Sequence, residues 1–373
     1  MTRNLLPLLF LCWGYLSVAV GQPSGAPFEA IMQHHYGSGR SPGGFLLVVN
    51  EGRVLFAKGY GVADLRRGAL IDSNTHFRMA SVSKQFTAMS IYLLNKSGKL
   101  SLDAPLKHFF SPLAGAVGGI TVRQLLTHTS GIWDYEPLIP ESQQTQVLDA
   151  DVLELIRSQP QTYFPPGSQF RYSNTGYCLL SLIVEQVSGM PYSEFVRQSI
   201  FVPLGMQDAR VYESNADIAH RAYGYRYGHG DHVFADQSLT SAAKGDGGIY
   251  LSAAEYLTWS KALMRGDFPL VGYLKMLARE QVPVKDGVRY GFGWFIGTED
   301  DGTTCLFHSG ETTGFRNMVY LNPEKSLAVV LFTNSDDQGI ADVFDQIARQ
   351  LRIGLRLGDT ASVSLFRWLS RVY

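Results

Sequence analysis

Cysteine is scarce in this chain, net charge is nearly absent, and no internal repeat or low-complexity run interrupts its 373 residues. Each shortage removes a class of protein. Three cysteines cannot build a disulfide framework, because one possible pair does little to staple a large domain. Cys178 and Cys305 sit in apolar runs, Cys178-Leu179-Leu180 and Cys305-Leu306-Phe307, where cysteine behaves as a small hydrophobe. Buried free thiols are expected. They lack the paired spacing of a zinc site, and neither a metal nor a cofactor is expected. The 32 Lys+Arg residues balance 33 Asp+Glu to a formal net charge of -1, so the basic face of a nucleic-acid binder is missing. Beyond residue 21 no stretch is long and apolar enough to span a bilayer.

What the chain does have is apolar bulk. Hydrophobic residues make up 45% and aromatic residues 12%, enough for a sizeable core, and a prior of roughly 150 residues per domain allows two or three domains. The N-terminus differs from the rest. Arg3 precedes an apolar run from Leu5 to Val20, followed by Ala19-Val20-Gly21 and the polar Gln22-Pro23-Ser24. A short positive region, an apolar middle and a small-residue exit predict a signal peptide over 1–21. A retained anchor is the competing reading, since the run approaches the lower length limit for a span; Pro7 and Gly14 favour cleavage. Cys12 lacks the small residues that usually precede a lipidated cysteine. The expectation is a secreted or periplasmic protein with no stable membrane span after cleavage.

Two strands, Phe45 to Val49 and Val54 to Gly59, flank Asn50-Glu51-Gly52, a turn whose residues tolerate positive φ. A short strand from His76 to Met79 runs into a helical pattern from Ser81 to about Ser97, which Gly98 stops. Helices are expected at Val122 to Leu126, Val152 to Ser158, Cys178 to Val187, Tyr192 to Ile200 and Ala253 to Met264, separated by Pro- and Gly-rich punctuation. Strands return at Tyr290 to Ile296, Thr303 to Phe307, Phe315 to Asn322 and Leu327 to Thr333, before a closing helix from Val343 to Arg352. Strands at both ends with helices between them predict an α+β fold, one antiparallel sheet with a mostly helical insertion. The domain would cover 22–354, with sheet regions at about 28–80 and 285–352 and helices at about 81–284. The tail, 355–373, mixes Arg356, Arg367 and Arg371 with Leu365, Phe366, Trp368 and Leu369. A docked or frayed terminus is expected over a membrane-surface helix.

Three short elements carry chemistry. Ser81-Val82-Ser83-Lys84 starts the first strong helix, and residues three apart share a helix face. A serine hydroxyl needs a base, and a lysine one turn away can supply it, while unsatisfied N–H groups at the helix start attract negative charge. Tyr172-Ser173-Asn174 offers a phenol, which a nearby ammonium would favour as phenolate, and an amide with both donor and acceptor. His308-Ser309-Gly310 follows an apolar strand, where a small Gly lets substrate approach the backbone. Each triplet alone reads as well as a capping serine, a loop tyrosine or a strand end.

Together, and in this order, they resemble the serine β-lactamase and penicillin-binding-protein superfamily. The likeness is greatest to its class C β-lactamase-related branch of peptidases and esterases. Leu125-Leu126-Thr127-His128-Thr129-Ser130-Gly131, Phe170 through Tyr177, Gly247 through Ser252, and Tyr290 through Phe315 extend the resemblance from about Phe28 to Arg352. It implies Ser81 as nucleophile, Lys84 as its partner and Tyr172 as general base and later acid. It further implies Asn174, His308, Ser309 and Gly310 as substrate-binding residues. The backbone N–H groups of Ser81 and Glu311 would form an oxyanion hole. His308 stands where many β-lactamases carry lysine, and a mostly neutral imidazole holds a carboxylate less firmly. The expected activity is therefore acyl hydrolysis of small esters or D-amino-acid peptides. A β-lactamase or D-alanyl-D-alanine carboxypeptidase ranks second, and a catalytically silent binding homologue third. His34-His35 reads as a surface pair and His128 as a satisfied loop residue. Asp246 and Glu311 are acidic residues that the sequence alone leaves unplaced.

Overall fold

Eight strands form one antiparallel sheet, and their order shows how the two ends of the chain meet. The computed structural model describes residues 25–373 apart from 38, 114, 215, 229, 338, 356 and 358–363. The expected signal segment, Cys12 and Arg356 lie outside the described residues. The strands are β1 (Gly44–Asn50), β2 (Arg53–Tyr60), β3 (Val282–Lys285), β4 (Val288–Gly291), β5 (Trp294–Thr298), β6 (Thr304–Thr312), β7 (Phe315–Asn322) and β8 (Leu327–Thr333). Their spatial order is β3-β4-β5-β6-β7-β8-β1-β2. The early hairpin thus closes onto the last strand, with β1 paired to β8 from Gly44↔Thr333 to Val49↔Ala328. The turn between β1 and β2 uses Glu51 and Gly52 at φ 50 and 75, as its residue types predict.

Successive side chains of a strand point to opposite faces, and both faces here are covered. Phe45, Leu47, Val330 and Phe332 join α2 (Lys84–Lys96) and α4 (Ala253–Arg265) in one core, with α3 (Asn174–Ser188) behind them. Leu46, Val48, Val329 and Leu331 join α1 (Ala26–Tyr36), α5 (Ile340–Gln350) and α6 (Leu365–Leu369) in the other. This two-sided burial explains why β1 and β8 read as continuous apolar runs rather than alternating ones. Cys178 and Cys305 are buried and free. The tail is docked, with Leu365, Phe366, Trp368 and Leu369 all buried in the second core. Among the described residues no helix is long and apolar enough to cross a membrane.

Several expectations are corrected. The single strand expected at Tyr290 to Ile296 is a hairpin, β4 to β5, because Phe292 and Gly293 both take positive φ, 49 and 81. A Cβ at Gly293 would lie 2.7 Å from the Gln85 backbone, so glycine lets this turn press onto the start of α2. The strand expected to stop at Phe307 continues through Thr312, carrying His308-Ser309-Gly310 within it. The helical region also holds a three-stranded sheet (His76–Arg78, Ile249–Ser252, Arg210–Val211) and the hairpin Tyr225–Gly228 with Asp231–Phe234. The helix α1 lies where no element was expected. His34 is exposed on it as expected, whereas His35 is half-buried, its Nε2 3.0 Å from Gln346 Nε2.

Candidate active site

The turn that presents Ser81 is built by backbone strain and close packing. Ala80 takes φ 49, a left-handed conformation that costs a non-glycine residue on the order of 1–3 kcal/mol. A 3-10 turn, Ala80–Ser83, then precedes α2, where an α-helix starting at Ser81 was expected. The strain is held from both sides. Met79 N–H donates to Ile249 O at 2.8 Å, and Asn317 Nδ2 donates to Arg78 O at 2.8 Å. At Gly310 an added Cβ would lie 2.1 Å from Met79 O. That glycine therefore admits the chain's own backbone rather than substrate.

Lys84 points back at Ser81. Its Nζ lies 3.0 Å from Ser81 Oγ, 2.8 Å from Asn174 Oδ1 and 2.9 Å from Asp246 O. Asn174, at the first turn of α3, is oriented by its own amide, which donates from Nδ2 to Glu136 Oε1 at 2.8 Å. Its oxygen is thereby left for Lys84. Lys84 is fully buried, and burial lowers its pKa while the carboxylates of Asp246 and Glu136 oppose the shift. Burial raises the pKa of Asp246, which Lys84 pulls down. Two of the acceptors around Nζ are carbonyl oxygens, which only accept. In the neutral amine they take both N–H groups, and the remaining lone pair faces the Ser81 hydroxyl.

Tyr172 stands across the same cleft as a protonated phenol, not as the phenolate expected beside an ammonium. Burial pushes its pKa well above 10, and Ser81 is the group that pulls it down. Its buried hydroxyl nonetheless meets no partner within full hydrogen-bond geometry. Lys84 Nζ sits over the ring face, 5.0 Å from the centroid, with its N–H groups directed elsewhere, so the ammonium does little for the phenolic oxygen. His128 proves to be a support for this ring. Its imidazole lies 4.3 Å from Tyr172, centroid to centroid, and its Nδ1 accepts from Ser173 N–H at 3.2 Å. That acceptor role leaves the proton on Nε2, which is buried without a partner. The expectation of a fully satisfied histidine is corrected, and burial holds its pKa well below 6.5.

The opposite wall is β6. Pairing with β5 ends at Phe295↔Phe307, so another group covers the edge beyond it. That group is Tyr373, whose hydroxyl lies 3.2 Å from Ser309 N, 2.7 Å from Ser309 Oγ and 3.2 Å from His308 Nδ1. His308 and Ser309 are both fully buried. His308 Nδ1 is 2.6 Å from Ser309 O; a carbonyl only accepts, so Nδ1 carries the proton. Burial lowers the His308 pKa to about 3, making the ring neutral. His308, Ser309 and Gly310 therefore lie beneath the cleft floor. Because Ser309 N–H points away from β7, strand alternation turns the Glu311 N–H to the same open edge.

The cleft between these walls has a volume of about 500 Å³ and is lined by Ser81, Asp134, Glu136, Pro137, Tyr172, Asn174, Glu311, Ser370 and Tyr373. Three of these described lining residues are carboxylates, and none is lysine or arginine. Among the described residues no cluster of His, Cys, Asp and Glu could hold a metal ion. Residue reading missed Glu136 and Tyr373, since neither belongs to a recognisable triplet.

Known proteins resemble the chain over most of its length. The family model described as Beta-lactamase matches residues 28–351. Penicillin-binding protein 4* of Bacillus subtilis (strain 168) is 29% identical over 346 residues, covering 88% of this chain and 75% of the relative. Among solved structures, a penicillin binding protein from Bacillus halodurans superposes with a TM-score of 0.75 at 29% identity, covering 86% of this chain and 98% of that one. The D-amino acid amidase from Ochrobactrum anthropi SV3, complexed with L-phenylalanine amide, gives 0.73 at 25% identity over 88% and 98% of the two chains.

Proposed function

Because the chain belongs to the beta-lactamase family of serine hydrolases, we propose that Ser81 forms an acyl-enzyme with small esters or D-amino-acid amides and peptides. One observation carries this reading: Lys84 Nζ lies 3.0 Å from Ser81 Oγ, with carbonyl oxygens accepting its other hydrogens. Lys84 takes the Ser81 proton as Oγ bonds to the substrate carbonyl carbon. The oxyanion faces the Ser81 and Glu311 N–H groups, and losing one such donor typically costs about 10²–10³ in rate. The bond to the leaving group then breaks as Tyr172 hands its phenolic proton to that group; the phenolate so formed draws the Lys84 ammonium away from its carbonyl contacts and takes the Ser81 proton from it. Water attacks the acyl carbon, its proton passes back along the same groups, and Ser81 is restored. The chain's own groups thus complete every proton transfer.

Substrate charge follows from the cleft. Asp134 and Glu311 are paired with Arg171 and Arg316 at 3.1 and 3.6 Å, no lysine or arginine is among the described lining residues and His308 is neutral beneath them, so a neutral substrate fits better than a carboxylate. This places β-lactams and D-alanyl-D-alanine second. The similarity to a D-amino acid amidase structure supports the amide branch of the reading. The signal-like residues 1–21 support export to the cell exterior or periplasm.

The test is covalent labelling. A small fluorophosphonate is expected to add one adduct to folded protein, mapped by mass spectrometry to Ser81 and lost in Ser81→Ala. Turnover of p-nitrophenyl acetate should fall by about 10⁴-fold or more in that variant, the order seen when a nucleophile is removed. An adduct elsewhere, or none, would refute the assignment and leave a binding homologue.

A further inference from the structure

We infer that Tyr373 is a specificity-determining residue, the inner wall that limits how far a substrate can extend along β6. The inference rests on the Ser81 acyl-enzyme reading and adds to it a restriction to short substrate arms. An extended substrate uses an open strand edge by pairing with its N–H and C=O groups. Here the edge position nearest the catalytic turn is already filled. The Tyr373 hydroxyl accepts from Ser309 N–H at 3.2 Å, and Ser309 O, 3.3 Å from that hydroxyl, already accepts from His308 Nδ1 at 2.6 Å, so neither backbone group is left for a substrate strand. Of the described β6 residues, Glu311 lines the cleft.

The wall is anchored rather than loosely laid. Trp368 Nε1 donates to Asp286 Oδ2 at 2.8 Å, and Arg367 Nη2 to Asp342 Oδ1 at 2.7 Å. Ser370 Oγ donates to Glu311 Oε1 at 3.0 Å, tying the segment after α6 to the residue whose N–H faces the oxyanion. The phenol ring stands 4.6 Å from the Tyr172 ring and stacks on His308, with ring centroids 5.9 Å apart and planes within 24°. The two rings touch and together close this end of the space beside Ser81. A short acyl group stops before them and a long one meets the Tyr373 ring. One extra or missing methylene in such a pocket is worth about 10–200-fold in discrimination.

The experiment uses two series of esters on the full chain, one lengthening the acyl arm of p-nitrophenyl esters from two to eight carbons, the other lengthening the alcohol arm of acetate esters. Tyr373→Ala should raise the long-to-short ratio of kcat/KM by at least tenfold in one series. Tyr373→Phe keeps the ring and should keep the wild-type length limit. Tyr373→Trp should move the limit towards shorter arms, so a poorly folded alanine variant still leaves a decisive measurement. Length profiles that coincide in all four proteins in both series would overturn the wall. The underlying reading fails separately, through absence of the small fluorophosphonate adduct on Ser81 in the wild type.

Discussion

The two walls of the cleft are built on opposite principles. The helical wall, with Ser81, Lys84 and Asn174, is a polar network in which each buried group has a named partner, from Glu136 through Asn174 to Lys84 and Ser81. The sheet wall is neutral and aromatic: His308 is uncharged beneath Tyr373, with Phe295 and Tyr172 against its ring. A buried charge needs partners or it neutralises. The first wall holds a lysine near the point of losing its proton, whereas the second holds a histidine that has already lost its own. In the proposed reaction the first wall supplies the nucleophile and its base, and the second, apart from the Tyr172 hydroxyl, supplies shape.

The largest effect that would break this contrast lies at Lys84. Lys84→Arg keeps positive charge but cannot give a neutral base, and acylation of p-nitrophenyl acetate should fall by about 10³-fold, within the range of general-base loss. In the wild type, the acylation rate should rise with pH as the amine deprotonates. Burial lowers the Lys84 pKa from 10.5, so the rise must come at lower pH than for an ordinary lysine. A midpoint at or above 10.5 would place the proton elsewhere. Tyr172→Phe should leave the fold intact and slow turnover by about 10²-fold or more, as read by stopped-flow acylation and steady-state release. An unchanged rate would leave Lys84 handling the proton alone.

The smallest effect tests the neutral wall through stability rather than activity. His308 has a pKa of about 3 in the folded chain against 6.5 unfolded, so between these values the unfolded state binds the extra proton. Stability present above pH 6.5 is therefore lost as pH falls towards 3, by about 1.4 kcal/mol per pH unit for each such imidazole. His128 is depressed in the same direction and adds to the slope. His308→Gln should make the acid side of a urea-denaturation series shallower by roughly that amount for one imidazole. An unchanged slope would mean that His308 is protonated in the folded state.

Regular elements were legible where one local signal dominated. The β1–β2 hairpin follows from its turn residues, α2 from its apolar periodicity and Gly98 stop, and β7 and β8 from their unbroken apolar runs. The β4–β5 turn escaped because Phe292-Gly293 sits inside an aromatic stretch, where only positive φ at both residues reveals the reversal. His308-Ser309-Gly310 read as a substrate edge because strand register and Gly suggested exposure. The covering residue comes from a segment more than sixty positions away, beyond any local window. For the same reason Glu136 was invisible, since its meaning depends on the Asn174 amide.

By itself, then, the sequence determined the chemistry on offer. Ser81 and Lys84 lie three apart, which puts an amine beside a hydroxyl wherever the backbone is helical, and the apolar runs dictate a sheet covered on both faces. Tertiary structure decided which form each group takes. Burial, with no water to stabilise a charge, leaves Lys84 near neutrality, Tyr172 protonated and His308 uncharged, and only the docking of the tail closes the strand edge that the motifs left open.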